Sequence, residues 1–184
     1  FSSEKVIADR LVDVCRKEWN INEQTVRSAA HAAWEEQQKA KADIRKKGEE
    51  VLAAMARENR KGIVLAGRPY HIDPGINQGI PEMIASYGLD VFTEDSLPFV
   101  ENPARPLRVL DQWVSHSRLY AAAKHVSELK TNDVNIVQLV SFGCGVDAIT
   151  TDEVRRILEK GDKLVSKLLS SKDGKINMSF ESEQ

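Results

Sequence analysis

Cys144 stands between Gly143 and Gly145, just beyond an apolar run from Ile136 to Val140. A cysteine so placed admits three chemistries. It is a small packing residue at a tight turn, a thiolate nucleophile favoured by a following helix N-terminus, or one ligand of an iron-sulfur cluster. A complete zinc or cluster site needs about three or four ligands, and no CxxC pair accompanies this cysteine. A nucleophile needs a base, and His71 or His116 would serve only where folding brings an imidazole to the sulfur. A second polar cluster runs from Gly67 to Asn77. Arg68 is a permanent planar cation, Tyr70 and His71 are hydrogen-bonding or proton-transfer groups, and Asn77 supplies an amide. The bland alternative for His71 is a loop histidine bonded to backbone. Gly67, Gly75 and Gly79 punctuate this stretch, yet neither the phosphate-cradling loop ending in Gly-Lys-Ser/Thr nor GxGxxG occurs. Motif alone therefore gives no nucleotide site.

These residues can act together only if the chain delivers them to one place. Ile63 to Ala66 reads as a buried strand ending in the polar loop of Arg68. Pro81 sits where a helix's first turn tolerates it, Met83 and Ile84 supply an apolar face, and Gly88 is a stop. Leu89 to Thr93 then reads as a second strand. Strand, loop, helix and strand make a βαβ unit with parallel strands and a right-handed crossover. The segment from Glu94 through Pro106 reads as a loop. A helical pattern covers 107–129, with Leu110, Val114, Ser117 and Ala121 on one side and Trp113 and Tyr120 on an adjacent one. The strand before Cys144 follows, with Gly143 and Gly145 allowing a sharp turn and close approach to a bound group. Thr150 with Glu153 has the capping-box spacing, which predicts a helix over 152–160, stopped by Gly161. Parallel strands would bring the loops after residues 66, 93 and 141 to one rim, the usual ligand crevice of open α/β sheets.

The remainder is less chemical. Val6, Ile7, Leu11, Val14 and Cys15 recur at helical spacing, with Cys15 read as a small buried hydrophobe. Asn20 or Asn22 would cap a second helix carrying Val26, Ala30, Ala33, Gln37, Ala40, Ile44 and Val51. Gly48 should break or bend it, giving two helices or one kinked one before Asn59. His31 and Trp34 read as packing residues there. At the other end Asp173-Gly174 has the form of a hairpin turn before an alternating strand, 175–180. The expected class is α/β, a Rossmann-like parallel sheet with flanking helices preceded by a long helical arm. Its divisions are 1–60 for the arm, 61–169 for the sheet domain and 170–184 for a tail.

Composition narrows the partners. With 184 residues, 41% of them apolar, the chain can build a core. A formal charge of −2 lacks the basic excess of a nucleic-acid footprint. No run approaches the roughly 20 apolar residues of a membrane span, and no secretory signal opens the chain. Two distant cysteines argue against a disulfide framework and for a reducing compartment. The opening on Phe1, straight into helical pattern, suggests a piece cut from a longer polypeptide.

Three motifs in order carry a family likeness. They are Gly67-Arg-Pro-Tyr-His-Ile-Asp-Pro74 with Asn77 and Gly79-Ile-Pro81, then Thr93-Glu-Asp-Ser-Leu-Pro98, then Ser141-Phe-Gly-Cys-Gly-Val-Asp147. Over roughly residues 60 to 160 the chain resembles the C-terminal region of the large acyl-CoA dehydratase activase-related proteins, kin of the 2-hydroxyacyl-CoA dehydratases. The resemblance implies a long cytoplasmic protein in which a separate ATPase domain accompanies Rossmann-type domains. It also implies a [4Fe-4S] cluster held by cysteines from several segments, with ATP bound elsewhere in the parent chain. It carries Cys144 forward as a candidate cluster ligand and gives no second ligand here, since Cys15 lies outside the matched motifs. Arg68, Tyr70, His71 and Asn77 would line the adjoining pocket and meet thioester or phosphate of an acyl-CoA, with Asp147 orienting the loop. The isolated piece would be inactive, its partners being the other domains of the parent. Two rival readings stand beside this: a non-catalytic docking module, with Cys144 buried far from Arg68 and His71, and a cluster-free enzyme using Cys144 as an acyl acceptor. A basic residue is usual in the family where Gln78 stands, and the chain beyond Lys163 also departs from the pattern.

Overall fold

The computed structural model describes residues 3–98, 106–109, 111, 113–131, 133–141 and 143–161, and the backbone of 165–170 and 176–179. It divides into two compact units, Phe1–Ile44 and Arg45–Gln184. In the first, helix α1 (Glu4–Trp19) is followed by the start of α2 (Glu23–Glu58). Asn20 closes α1 in the left-handed region at φ 50, a conformation asparagine tolerates. Asn22 opens α2, its Oδ1 accepting from the Gln24 N–H at 2.8 Å. The two expected asparagine caps thus serve two different helix ends. Ala8, Val12 and Val26 are buried, whereas Val6, Leu11, Val14 and Ile44 are largely exposed and Cys15 is half-buried. His31 is not a packing residue. It lies exposed against Glu4 at 2.9 Å and Glu35 at 3.6 Å, and the Glu4 hydrogen bond raises its pKa.

The expected break at Gly48 does not occur, for α2 runs 36 residues without interruption. Gly48 is there for space. A Cβ on it would lie 1.6 Å from the Ser96 carbonyl oxygen, so the helix can approach that turn only without a side chain.

The second unit is built on a five-stranded sheet. Its strands are β1 (Gly62–Ala66), β2 (Asp90–Thr93), β3 (Val134–Ser141), β4 (Val165–Ser170) and β5 (Ile176–Ser179), in the order β2-β1-β3-β4-β5. The first four run parallel and β5 pairs antiparallel with β4. The mixed α/β fold with flanking helices follows the sequence expectation. Strand β4 went unforeseen, and the expected turn at Asp173-Gly174 lies outside the described residues, as does Phe180.

Sheet alternation distributes the core. Val64, Ala66, Phe92, Val134 and Ile136 face one side, packed with Met55 and with Leu119, Tyr120, Val154 and Leu158. The last four belong to helices α4 (Val114–Glu128) and α5 (Gly145–Glu159). Leu65 and Leu139 face the other side, against Ile80 and Ile84 of α3 (Ile80–Ser86). The chain leaves β1 towards β2 through α3 and leaves β3 towards β4 through α5, in opposite directions and over opposite faces, as crossovers of one hand require. Between β1 and β3 the direction of winding reverses. Such a switch point is where doubly wound sheets open a crevice at their carboxyl edge.

Two helix starts differ from expectation. α4 begins at Val114 rather than 107, because the Trp113 carbonyl takes the first hydrogen bonds, from His116 and Ser117 N–H at 3.0 and 3.1 Å. Leu110, assigned to its face, lies outside the described residues. α5 begins at Gly145 with Cys144 at its N-cap, where the spacing pointed to Thr150. The Thr150 and Thr151 hydroxyls instead donate back to the Asp147 carbonyl at 3.0 and 2.7 Å, inside the helix. Glu153 is occupied by Arg156 and by the Arg108 N–H.

Candidate functional site

The loops after β1 and β3 leave the sheet side by side, because Leu65 pairs with Val137 and Ala66 with Gln138. Beyond β1 the chain enters a 3₁₀ turn, Pro69–Ile72, with Arg68 at its head. Beyond β3, Gly143 adopts φ 73, the left-handed region that favours glycine, and hands the chain to Cys144 and α5. Gly145 carries no such demand, since a Cβ there would meet open space.

Across this gap Arg68 is the clasp. Its Nη2 donates to the Cys144 Sγ at 3.1 Å and to Asp147 Oδ1 at 2.9 Å, and its Nη1 donates to the Tyr70 hydroxyl at 3.3 Å. Tyr70 Oη lies 3.3 Å from Ser141 Oγ. Asp147 is buried and divides its carboxylate, giving the second oxygen to the Ser141 N–H at 2.8 Å. Burial works against the Arg68 charge, but the hydrogen bond and charge of Asp147, aided by Tyr70, hold the guanidinium well above its ordinary pKa. Both Nη atoms therefore serve the loops themselves, and Arg68 is a positioning group before it is a receptor for a guest anion.

His71 is brought under the loop rather than to the sulfur. Its Nδ1 accepts the Arg68 N–H at 3.1 Å, which leaves the proton of the neutral ring on Nε2. Burial, opposed by Asp147 and seconded by Arg68, lowers its pKa. Gly67 makes room for it, since a Cβ there would stand 2.7 Å from Nδ1 and 3.0 Å from the Leu139 carbonyl oxygen. Tyr70 meets the imidazole edge-on at 4.4 Å. Among the described residues no hydrogen bond joins an imidazole to Cys144, so the acyl-acceptor chemistry lacks its base in this geometry. Asn77 stays apart too: it is buried with Oδ1 accepting from the Gly79 N–H at 3.0 Å, a local turn that leads into α3. Of the residues singled out in the sequence, Arg68, Tyr70, Cys144 and Asp147 form one network, His71 supports it through backbone, and Asn77 shapes the next turn.

Sequence reading passed over two members. Ser141 was only a letter in a motif, yet its hydroxyl and N–H both join the network. Glu94, just past the end of β2, opens the segment that reads as a loop in the sequence. It is buried, with Oε1 receiving the Gly67 N–H at 3.3 Å and Oε2 facing Arg118 at 3.4 Å, while Arg118 also meets Asp95 at 2.7 Å. Burial pushes its carboxyl up to about 8 against the pull of Arg118 and the Gly67 N–H. The loop after β2 thus reaches the rim through Glu94. The docking-module geometry, a cysteine far from Arg68, is not what is found.

Among the described residues no three of His, Cys, Asp and Glu converge to hold a metal ion, and no helix is long and apolar enough to cross a membrane. Neither curated proteins nor solved structures give a match to the chain. A family model does: the CoA enzyme activase uncharacterised domain matches residues 1–97, which include the helical arm, β1, the Arg68 loop, β2 and Glu94. With more than half of its length so matched, the chain belongs to the CoA enzyme activase uncharacterised domain family.

Proposed function

We propose that this chain serves, within a cytoplasmic 2-hydroxyacyl-CoA dehydratase- or activase-related protein, ATP-driven electron transfer to an acyl-CoA, with Cys144 as one thiolate ligand of a [4Fe-4S] cluster. Family membership supports the CoA-enzyme setting. The observation that carries the role of this segment is the clasp at the switch point, where Arg68 holds a cysteine sulfur and Asp147 between two strand ends.

The described residues do not make a cluster site by themselves. A [4Fe-4S] cluster takes about four thiolates, and this rim supplies one sulfur without a converging set of further ligands. The other ligands, like the ATP site, would belong to other domains of the parent chain, which are the partners this reading requires. What the present residues do is positional. Gly143 and the Asp147–Ser141 hydrogen bond fix the turn that carries Cys144, and Arg68 orients its sulfur.

Anaerobic iron and acid-labile sulfide analysis of the complete parent protein, beside Cys144→Ser, tests the assignment. Loss of iron and sulfide with the folded secondary structure retained in circular dichroism is expected. Full cluster content in the variant removes Cys144 from the ligand set.

A further inference from the structure

Glu94 is a buried carboxyl that the chemistry of the rim does not use, and its neighbours decide which form of it the fold keeps. It opens the short turn Glu94–Ser96 and is only 6% exposed. The cation facing it is Arg118 of α4, and that guanidinium is already committed: its Nη2 lies 2.7 Å from the Asp95 carboxylate and 3.4 Å from Glu94 Oε2. Asp95, in the same turn, adds a like charge. β1 contributes the Gly67 N–H, which donates to Oε1 at 3.3 Å, and α2 meets the turn at Gly48, which has no side chain. A carboxyl buried beside a cation that serves another carboxylate is kept as the neutral acid, in keeping with the rise of its pKa to about 8.

The acid sits one residue from the clasp. Gly67 immediately precedes Arg68, whose own N–H bonds His71 Nδ1 at 3.1 Å and whose guanidinium holds Cys144 and Asp147. Gly67 has no slack, since even a Cβ on it would stand 2.7 Å from the His71 ring and 3.0 Å from the Leu139 carbonyl oxygen. A shift of that peptide is therefore passed to Arg68 rather than absorbed. Loss of the proton supplies the shift. A carboxylate at this depth has no counter-charge of its own and gains by turning out to water, where its ordinary pKa of 4.5 returns. Opening then releases one proton to solvent, and the open population rises about tenfold per pH unit between the two values.

We propose that Glu94 is a proton-operated latch on the Arg68 loop: as the neutral acid it holds the Gly67 N–H beneath the rim, and as the carboxylate it swings out, frees Gly67 and loosens the hold of Arg68 on Cys144. The latch does not depend on the cluster reading, since none of its members is asked to hold iron.

Amide hydrogen exchange of the complete chain, read on peptides and corrected for the chemical exchange rate at each pH, tests the latch. In the wild type, protection over residues 67–72 and 144–148 should fall about tenfold per unit from pH 6 towards pH 8. It should also stay at least about tenfold below that of β3 residues 134–140, as a local opening requires. Glu94→Gln keeps a neutral acceptor for the Gly67 N–H and has no proton to lose, so its protection over these segments should not fall. Asp95→Asn, at an exposed position, releases Arg118 to Glu94 and should make the fall level off at lower pH, which keeps the test open even if the glutamine variant does not fold. A wild-type fall below about twofold per unit, the same fall in a folded Glu94→Gln protein, a fall unmoved by Asp95→Asn, or loop protection no lower than that of β3 would each overturn the latch.

Discussion

Glu94→Gln should change how stability responds to pH, because two forces on this carboxyl oppose one another and their balance can be read. Burial favours the protonated acid, while Arg118 and the Gly67 N–H favour the carboxylate, and burial wins, moving the pKa from 4.5 to about 8. An unfolded chain releases this proton near 4.5 and the native one near 8. The native state therefore has its full advantage below the lower value and loses it as pH rises towards the upper one. The loss is at most about 1.4 kcal/mol per pH unit, hence about 2–3 kcal/mol between pH 5 and 7. His71, His116 and His125 act in the contrary sense. Their pKa values are lowered, chiefly by burial, so their contribution is lost as pH falls below their ordinary 6.5. Subtracting the wild-type curve from that of Glu94→Gln cancels them. The variant should gain on the wild type by about 2–3 kcal/mol from pH 5 to pH 7 in urea titrations. Trp113 is the one tryptophan of the second unit, so its fluorescence in a Trp19→Phe, Trp34→Phe background reports on that unit. A flat difference across this range would mean that Arg118 keeps Glu94 ionised, and the account of β2's link to the rim would fail.

Further outcomes follow from the same geometry. Gly48→Ala should destabilise the chain by about 1–3 kcal/mol in thermal melts despite a gain of about 1 kcal/mol in helix propensity, since its methyl would meet the Ser96 carbonyl; a stabilised variant would refute the close approach. Asp147→Asn should cost about 2 kcal/mol by removing a charge-assisted bond, a figure already reduced because Arg68 is partly exposed. A double-mutant cycle with Arg68→Ala checks it, and a coupling below about 0.5 kcal/mol would show the clasp to be idle.

The sheet was legible because its central strands are buried on both faces, so that Ile63 to Ala66 and Ile136 to Val140 stand out as apolar runs between turn residues. Strand polarity followed from the helical pattern between them, and the meeting of Arg68 with Cys144 followed from that polarity. Local signals failed where tertiary contacts overrode them. Gly48 looks like a breaker until Ser96 is placed against it, and Thr150 looks like a cap until its hydroxyl turns back to Asp147. His71 carries two readings in the sequence, and the structure shows its Nδ1 bonded to the Arg68 N–H. Glu94 and Ser141 escaped notice because their roles rest on burial and on single backbone N–H groups, which leave no mark in spacing.

The sulfur–guanidinium contact joins residues 76 positions apart in the chain. Loop closure over such a distance comes late in folding, after local helices and the first βαβ unit can already exist. During synthesis the thiol therefore emerges before α5 can form, with Arg68 long since made but Asp147 still in the ribosome. Until the third parallel strand docks, Cys144 has no clasp, and the order of both loops waits on the docking of β3.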